Sequence, residues 1–441
     1  MKVKFFKLWD SLHSSYWFVP ALMAALAITL AFAMLALDRT GKSGPVENLN
    51  WVYTGGPEGA RTLLSAVAGS MITVAGTVFS ITLVALQLAS SQFGPRLLRN
   101  FMQDTGNQIV LGTFIATFIY CLLVLRSIRG EDYNVFVPQI SVTVGIILVL
   151  TSIGVLIYFI HHASTSIQAE NVIAEVGEEL EKTIERLFPE RIGLSEEKSK
   201  EFIKELPANF EQKSYIFTSL KSGYIQAIDG EKLMEIAQNK DLLLRVLYRP
   251  GKFVVQKSNL VMVWPEERVD RHLIKQIRET FILGRQRTEH QDVEFPVNQL
   301  VEIAVRALSP GINDPFTAIR CIDQLSAALS HLAAKEFPSP YRYDNNNVLR
   351  LIVETVTFTR IIDAAFNQIR QYGSTSVAVI IRLLEAIATI AERTENKKYR
   401  RCLLHHANAI ERASRQHISE PLDLQDIDER YQAALKAIKH S

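Results

Sequence analysis

Seven positions between residues 65 and 91 share a character that could do chemistry: Ser65, Gly69, Thr73, Gly76, Ser80, Gln87 and Ser91. Steps of 3.6 residues put them on one face of a helix, with Leu83 in line. Val67, Met71, Val74, Val78, Ile81, Ala85 and Leu88 make the opposite face. Two kinds of chemistry are open to such a small, hydroxylated stripe. Hydroxyls and exposed carbonyls can replace the water around a passing ion. Small residues also let a second helix approach closely, and Ser and Thr bond across the contact. The spacing leaves both readings open, and both hold if several copies surround one axis. The seven residues are therefore candidate pore-facing positions.

A second constellation runs from Arg306 to Asp323, with Arg306, Ser309, Asn313, Asp314, Arg320 and Asp323 as its polar members. Leu308 ends one helix and Ser-Pro-Gly-Ile makes a tight turn. Asn313 or Asp314 can then cap the next helix, with Pro315 at its first position. Capping accounts for most of the motif but leaves less reason for Arg306, Arg320 and Asp323. A pocket at a helix N-terminus favours an anion, so the six residues are ligand-site candidates. Between the two constellations, Gly94-Pro95 breaks the apolar run, and Arg96 and Arg99 follow. There they would meet lipid headgroups or an anion, or simply anchor the helix at the interface.

Enzyme signatures are absent: no phosphate loop, no GxSxG elbow and no HExxH helix. His161-His162 and His405-His406 are neighbours on helices, where side chains diverge by about 100° and rarely share a metal. No catalytic residue, metal or cofactor is expected. With 48 basic and 46 acidic residues, a net charge of +2 gives no reason to expect a nucleic-acid partner. Cys121, Cys321 and Cys402 form neither a zinc spacing nor a disulfide framework.

The elements that must position these residues are mostly helical. No charged residue lies between Arg61 and Arg96. Leu63–Ser91 alone would make a helix of roughly 43 Å, against a hydrocarbon core of about 30 Å. Four spans are expected, near 16–37, 63–91, 109–125 and 138–160, making residues 1–163 a transmembrane domain. The first span is long enough to be a span rather than a cleaved leader. None carries Asp, Glu, Lys or Arg in its core. That argues against a proton-coupled transporter, though not against a channel. Lys and Arg counts on the two sides tie. Both termini are placed in the cytoplasm because the C-terminal part has no disulfide pattern and mixed charge.

Residues 164–212 read as a helical connector, 213–265 as a small β module and 266–441 as a helical bundle. The fold class is thus membrane all-α, four transmembrane helices, plus a cytoplasmic α+β region. In the β module, SGYIQAID, a short helix, RPGKFVV and LVMVWP resemble the small barrels of biotinyl/lipoyl domains. The carrier-lysine hairpin of those domains is absent, so the resemblance extends to a possible barrel only. From Glu266 on, apolar residues recur at helical spacing, as in Leu300, Ile303, Ala304, Ala307 and Leu308.

Three longer stretches, FSITLVALQLASSQFGPRLLRNF, LGTFIATFIYCLLVL and ALSPGINDPFTA, resemble a bacterial family of predicted membrane proteins with a domain of unknown function, number 2254. The resemblance covers nearly the whole chain. It implies four N-terminal spans and a soluble C-terminal region, and brings no activity or catalytic residue with it. The expected protein is an inner-membrane homo-oligomer of channel-like character. Its partners are the bilayer, further copies of itself and a small ion. The alternative is a membrane-anchored sensor or scaffold that binds a ligand or partner at 306–323.

Overall fold

The computed structural model describes residues 16–40, 53–94, 104–129, 136–166, 168–188 and 206–439. The chain divides into two compact units, Met1–Asn171 and Val172–Ser441.

The first unit holds helices α1 (Phe18–Arg39), α2 (Pro57–Phe93), α3 (Thr105–Ser127) and α4 (Gln139–Ser166). Each is long and apolar enough to cross a membrane. Pro57 opens α2 directly after Gly56, where a missing N–H costs nothing. Asp104 caps α3 by accepting the Gly106 N–H at 2.8 Å. Helix α3 is the most enclosed of the four. Its Tyr120, Cys121 and Val124 pack with Leu64, Ala68 and Val142. Its Val110, Leu111 and Phe114 pack with Met71, Ala75, Val78 and Phe159. At Gly112 a Cβ would stand 3.2 Å from Pro20 Cα and 2.5 Å from Met23 Sδ, so α1 and α3 meet through a glycine. Leu26, Phe32, Leu150 and Ile157 are exposed, a surface suited to lipid rather than water.

The second unit begins within α5 (Ala169–Leu187), whose Val172, Ile173, Val176, Leu180 and Ile184 form one buried face. A mixed layer follows. It contains β1 (Tyr215–Thr218), β2 (Gly223–Ile228), α6 (Gly230–Asn239), β3 (Leu243–Val246), β4 (Phe253–Val254), β5 (Asn259–Trp264), α7 (Arg271–Glu279) and β6 (Phe281–Gly284). Asp229 and Asp270 cap α6 and α7, accepting the Lys232 and Leu273 N–H groups. Ile225, Leu233, Leu244, Val261, Leu273 and Ile277 share one core beneath the strands. Helices α8 (Glu294–Ala307) and α9 (Pro315–Ala333) come next, then strands β7 (Tyr341–Tyr343) and β8 (Leu349–Val353). Helices α10 (Phe358–Tyr372), α11 (Val377–Ala391), α12 (Lys397–His417) and α13 (Pro421–Lys439) complete the unit. The spacing read from Leu300 onward is realised: Leu300, Ile303, Ala304 and Ala307 are all buried.

Two expectations about the β region need revision. The strands do not close into a barrel. They form one sheet in the order β1-β5-β3-β8-β7 and another in the order β4-β2-β6, each with two open edges. Strands also occur within the stretch read as helical. Strand β8 lies parallel to β3, Leu244 opposite Leu351, and β6 pairs with β2. The Leu-Arg-Leu-Ile-Val run of β8 buries Leu349 and Leu351, a two-residue period too short to stand out beside the helical pattern of α10.

Candidate functional site

Helix α2 has 37 residues and turns Ala60, Ala68, Ala75 and Ala89 inward, with Ala66 exposed. Ala60, Leu64, Ala68, Met71, Ala75, Val78, Thr82, Ala89 and Phe93 are buried at helical spacing. The face read as greasy is therefore only partly inside: Met71 and Val78 are buried, whereas Ile81 and Leu88 are exposed. Ser65, Gly69, Thr73, Gly76, Ser80, Gln87 and Ser91 are all exposed. A Cβ built on Gly69 or Gly76 would meet nothing within 4 Å. The chain's own packing thus leaves the small stripe open along most of a transmembrane length.

The hydroxyls on this face follow one rule. Thr73 donates to the Gly69 carbonyl at 2.9 Å, Ser80 to the Gly76 carbonyl at 2.9 Å, and Ser91 to the Leu88 carbonyl at 2.9 Å. Ser70 and Thr77, beside the stripe, likewise donate to Ala66 and Thr73. Each donor is satisfied within the helix, as a lipid environment requires. At Thr73, Ser80 and Ser91 what remains outward is oxygen lone pairs, which accept hydrogen bonds or coordinate a cation, while Gln87 adds an amide that both donates and accepts. Gly94, at φ 108, ends the helix in a conformation that suits glycine. Arg96 and Arg99, the expected anion or lipid contacts at this exit, lie outside the described residues.

In the first unit, the hydrogen-bonded polar groups between helices come in separate knots. At one end, the Asp38 carboxylate of α1 accepts the N–H groups of Ile140 and Ser141, both at 3.0 Å, and so caps α4. There Tyr120 also donates to the Ser141 carbonyl at 2.9 Å, and Arg61 to the Ile128 carbonyl at 3.1 Å. Midway, the Thr117 and Ser152 hydroxyls meet at 3.1 Å. At the other end, Asp104 accepts from Asn107 Nδ2 at 2.9 Å and lies 2.6 Å from His162 Nε2. Buried Val110, Leu111 and Phe114 separate Asn107 from Thr117. On α3, then, the Asp104–Asn107 knot and the Thr117–Ser152 pair are parted by an apolar turn.

The second constellation is a closed turn. Asn313 adopts φ 51, its N–H donates to the Ser309 carbonyl at 2.9 Å, and the Asp314 N–H reaches the Ala307 carbonyl at 2.8 Å. Ser309 Oγ donates to the Arg306 carbonyl at 2.6 Å. Asp314 caps α9, accepting from Thr317 N–H at 3.2 Å and Thr317 Oγ1 at 2.6 Å. Those bonds hold its carboxyl below the ordinary value. A carboxylate therefore already occupies the helix N-terminus, and an incoming anion would meet its charge. Arg306 lies 3.7 Å from Glu302 one turn away, and Arg320 is exposed. Asp323 accepts from Arg382 of α11 rather than facing the turn. The turn presents Asn313 to the outside together with two apolar side chains, Ile312 and Phe316.

Sequence reasoning missed the polar knots and one buried ionic cluster. In the second unit, Arg249 Nη2 lies 2.7 Å from Glu294 Oε1, and Arg287 Nε donates to Asp292 Oδ2 at 2.8 Å. Arg360 Nε donates to Glu294 at 3.1 Å. Gly251, at φ 85, comes so close that a Cβ would lie 2.1 Å from Asp292 Oδ2. Burial pushes the Asp292 carboxyl up despite Arg287. Burial also raises the Glu294 carboxyl, but the Arg249 bond and charge outweigh it and leave it below its ordinary value. Oppositely charged groups pair across the cluster, which suits it to joining the β3–β4 turn to the starts of α8 and α10. The cluster draws on residues from Arg249 to Arg360, and the Arg360–Glu294 partners alone are 66 residues apart, so no local pattern announces them. Asp38 did leave a signal: a lone carboxylate ending one span, and an uncapped Gln139-Ile-Ser start after Pro138.

The family model for predicted membrane proteins with domain of unknown function 2254 matches residues 13–389. An uncharacterized protein of Mycobacterium tuberculosis is 30% identical over 423 residues, covering 94% of this chain and 79% of its own length. An uncharacterized protein of Mycobacterium bovis is similar to the same extent, 30% over 423 residues. No solved structure matches. The four membrane-length helices, the Gly-ended second span and the Ser-Pro-Gly-Ile-Asn-Asp-Pro turn are thus set in a chain that belongs to the DUF2254 family of predicted membrane proteins.

Proposed function

We propose that this protein is a homo-oligomeric channel of the bacterial inner membrane. Its α2 helices meet around a common axis, and its second unit, on the cytoplasmic side with both termini, regulates the path. One observation carries the reading: the small stripe from Ser65 to Ser91 is left unpacked by the chain's own helices. The knotted interior of the four helices supports it from the other side. A polar path between copies would run along this face of α2, which offers regularly spaced oxygens. Because the Thr73, Ser80 and Ser91 hydroxyl protons are spent on backbone carbonyls, those positions present acceptors, and the ion they suit is a small cation.

The test is conductance of the purified protein in planar bilayers. The wild type conducts cations in preference to anions. Gly76→Leu and Ser80→Phe, which fill the stripe without touching the buried face of α2, reduce the unitary current at least several-fold. A wild-type protein that stays silent across voltage, membrane tension and pH overturns the reading.

A further inference from the structure

The second unit carries a compact apolar tip that its own fold leaves uncovered. Leu220, in the turn between β1 and β2, is 59% exposed. Phe253 on β4 is 53% exposed and Val255, just after it, 55%. The two turns are stitched together. The Lys257 N–H donates to the Ser219 carbonyl at 2.8 Å, and the Ser219 N–H to the Ser258 carbonyl at 2.9 Å. The Gln256 N–H donates to Ser222 Oγ at 2.9 Å. In register, Gly223 lies opposite Val254 and Tyr224 opposite Phe253, with the two rings 5.0 Å apart. Lys257 is held at φ 69 at the tip of its turn.

The two turns themselves carry charge of one sign. Lys221 and Lys257 are exposed in the two turns. Arg285, also exposed, follows Gly284, the residue paired with Tyr224 in the next strand. Residues 218–226 and 249–261 contain no carboxylate. The acids Asp292, Glu294 and Glu354 lie against residues 249–252, whereas large exposed apolar side chains with lysines in the same two turns match the boundary of an anionic bilayer. Acyl chains take the apolar groups there and phosphates the ammonium and guanidinium groups. Four membrane helices in the same chain already hold this unit at high local concentration near a bilayer, so docking needs no capture from solution.

We infer that the paired turns 219–222 and 255–258, with Phe253, form a docking surface for anionic phospholipid. This contact is independent of any conduction by the stripe on α2. The experiment uses the full-length protein carrying an environment-sensitive dye on Leu220→Cys, since the three native cysteines are buried. It is reconstituted in vesicles of phosphatidylcholine alone, or with one part in three phosphatidylglycerol, with doxyl-labelled lipid as quencher. The expected result is a blue-shifted, doxyl-quenched emission with phosphatidylglycerol only. It should be lost in Lys221→Glu/Lys257→Glu and weakened by high salt. The same dye on Val255→Cys reports from the other turn and checks that the label has not displaced its own site. Emission unchanged by phosphatidylglycerol overturns the inference. So does a blue shift that persists in detergent and grows with protein concentration, which identifies a second copy as the occupant. A shift produced by an added acidic protein but not by anionic lipid overturns it as well.

Discussion

At the scale of single residues, two carboxylates do similar work in different surroundings. Asp38 caps the start of α4 from the end of α1, using its charge where the helix leaves N–H groups unpaired. Asp314 caps its own helix, and its pH response can be read. The Thr317 hydroxyl, and with it the Thr317 and Phe316 amides, hold its carboxyl below the ordinary value. The unfolded chain therefore takes up the proton first as pH falls. The stabilisation is fully present above the unfolded value of about 4 and is lost as pH drops through the lower folded value. Replacing the cap altogether with Asp314→Ala should cost about 1 kcal/mol at neutral pH. Asp314→Asn keeps a capping oxygen but cannot titrate. Its denaturation midpoint in detergent should fall less steeply than that of wild type between pH 5 and 3. Equal slopes for the two proteins would remove Asp314 from the acid response.

At the scale of elements, the four apolar helices were legible because a span is recorded in consecutive residues. The Ser309–Asp314 turn was legible because proline, glycine and capping residues act locally. What the sequence hid was non-local. Strand β8 finds its partner β3 across roughly a hundred residues, and short alternating runs look alike until they pair. The stripe on α2 was readable as a face, but which face would be buried was not, because alanines and glycines both permit close packing. The structure separates them: Ala60, Ala68, Ala75 and Ala89 pack inward, whereas Gly69 and Gly76 look onto open space. Substitutions at these glycines should therefore sort by place. Gly69→Ala and Gly76→Ala add a methyl that clashes with nothing in the chain and improve helix propensity by roughly 1 kcal/mol each. Gly112→Val forces side-chain carbons against Pro20 and Met23 and should cost about 1–3 kcal/mol. Melting of the three variants in one detergent compares them directly. Destabilisation by Gly69→Ala comparable to that by Gly112→Val would mean that the stripe is a packing face within the chain after all.

At the scale of the whole molecule, the question is what covers α2. A helix that exposes Ile72, Leu83 and Val84 beside Ser65, Thr73 and Ser80 offers lipid one part of its surface and something more polar another. Serine and threonine whose donors are internally satisfied are tolerated by lipid, so the stripe could in principle stay there. Its regular spacing argues for a partner with the same spacing, and another copy of α2 has it. Closed symmetry then brings equivalent residues near one axis, so each stripe position faces its own counterpart. Cross-linking turns this into a measurement. In membranes treated with a mild oxidant, Ser80→Cys should form a disulfide between copies, because Ser80 lies on the stripe. Ile157→Cys, on the exposed face of α4, should not. The native cysteines are buried and stay silent in both. Adding Gly69→Leu to Ser80→Cys should suppress the cross-link by holding the helices apart. Cross-linking at residue 157 but not at residue 80 would place α4, and not α2, at the interface between copies. The polar stripe would then face lipid, and the channel reading would fail with it.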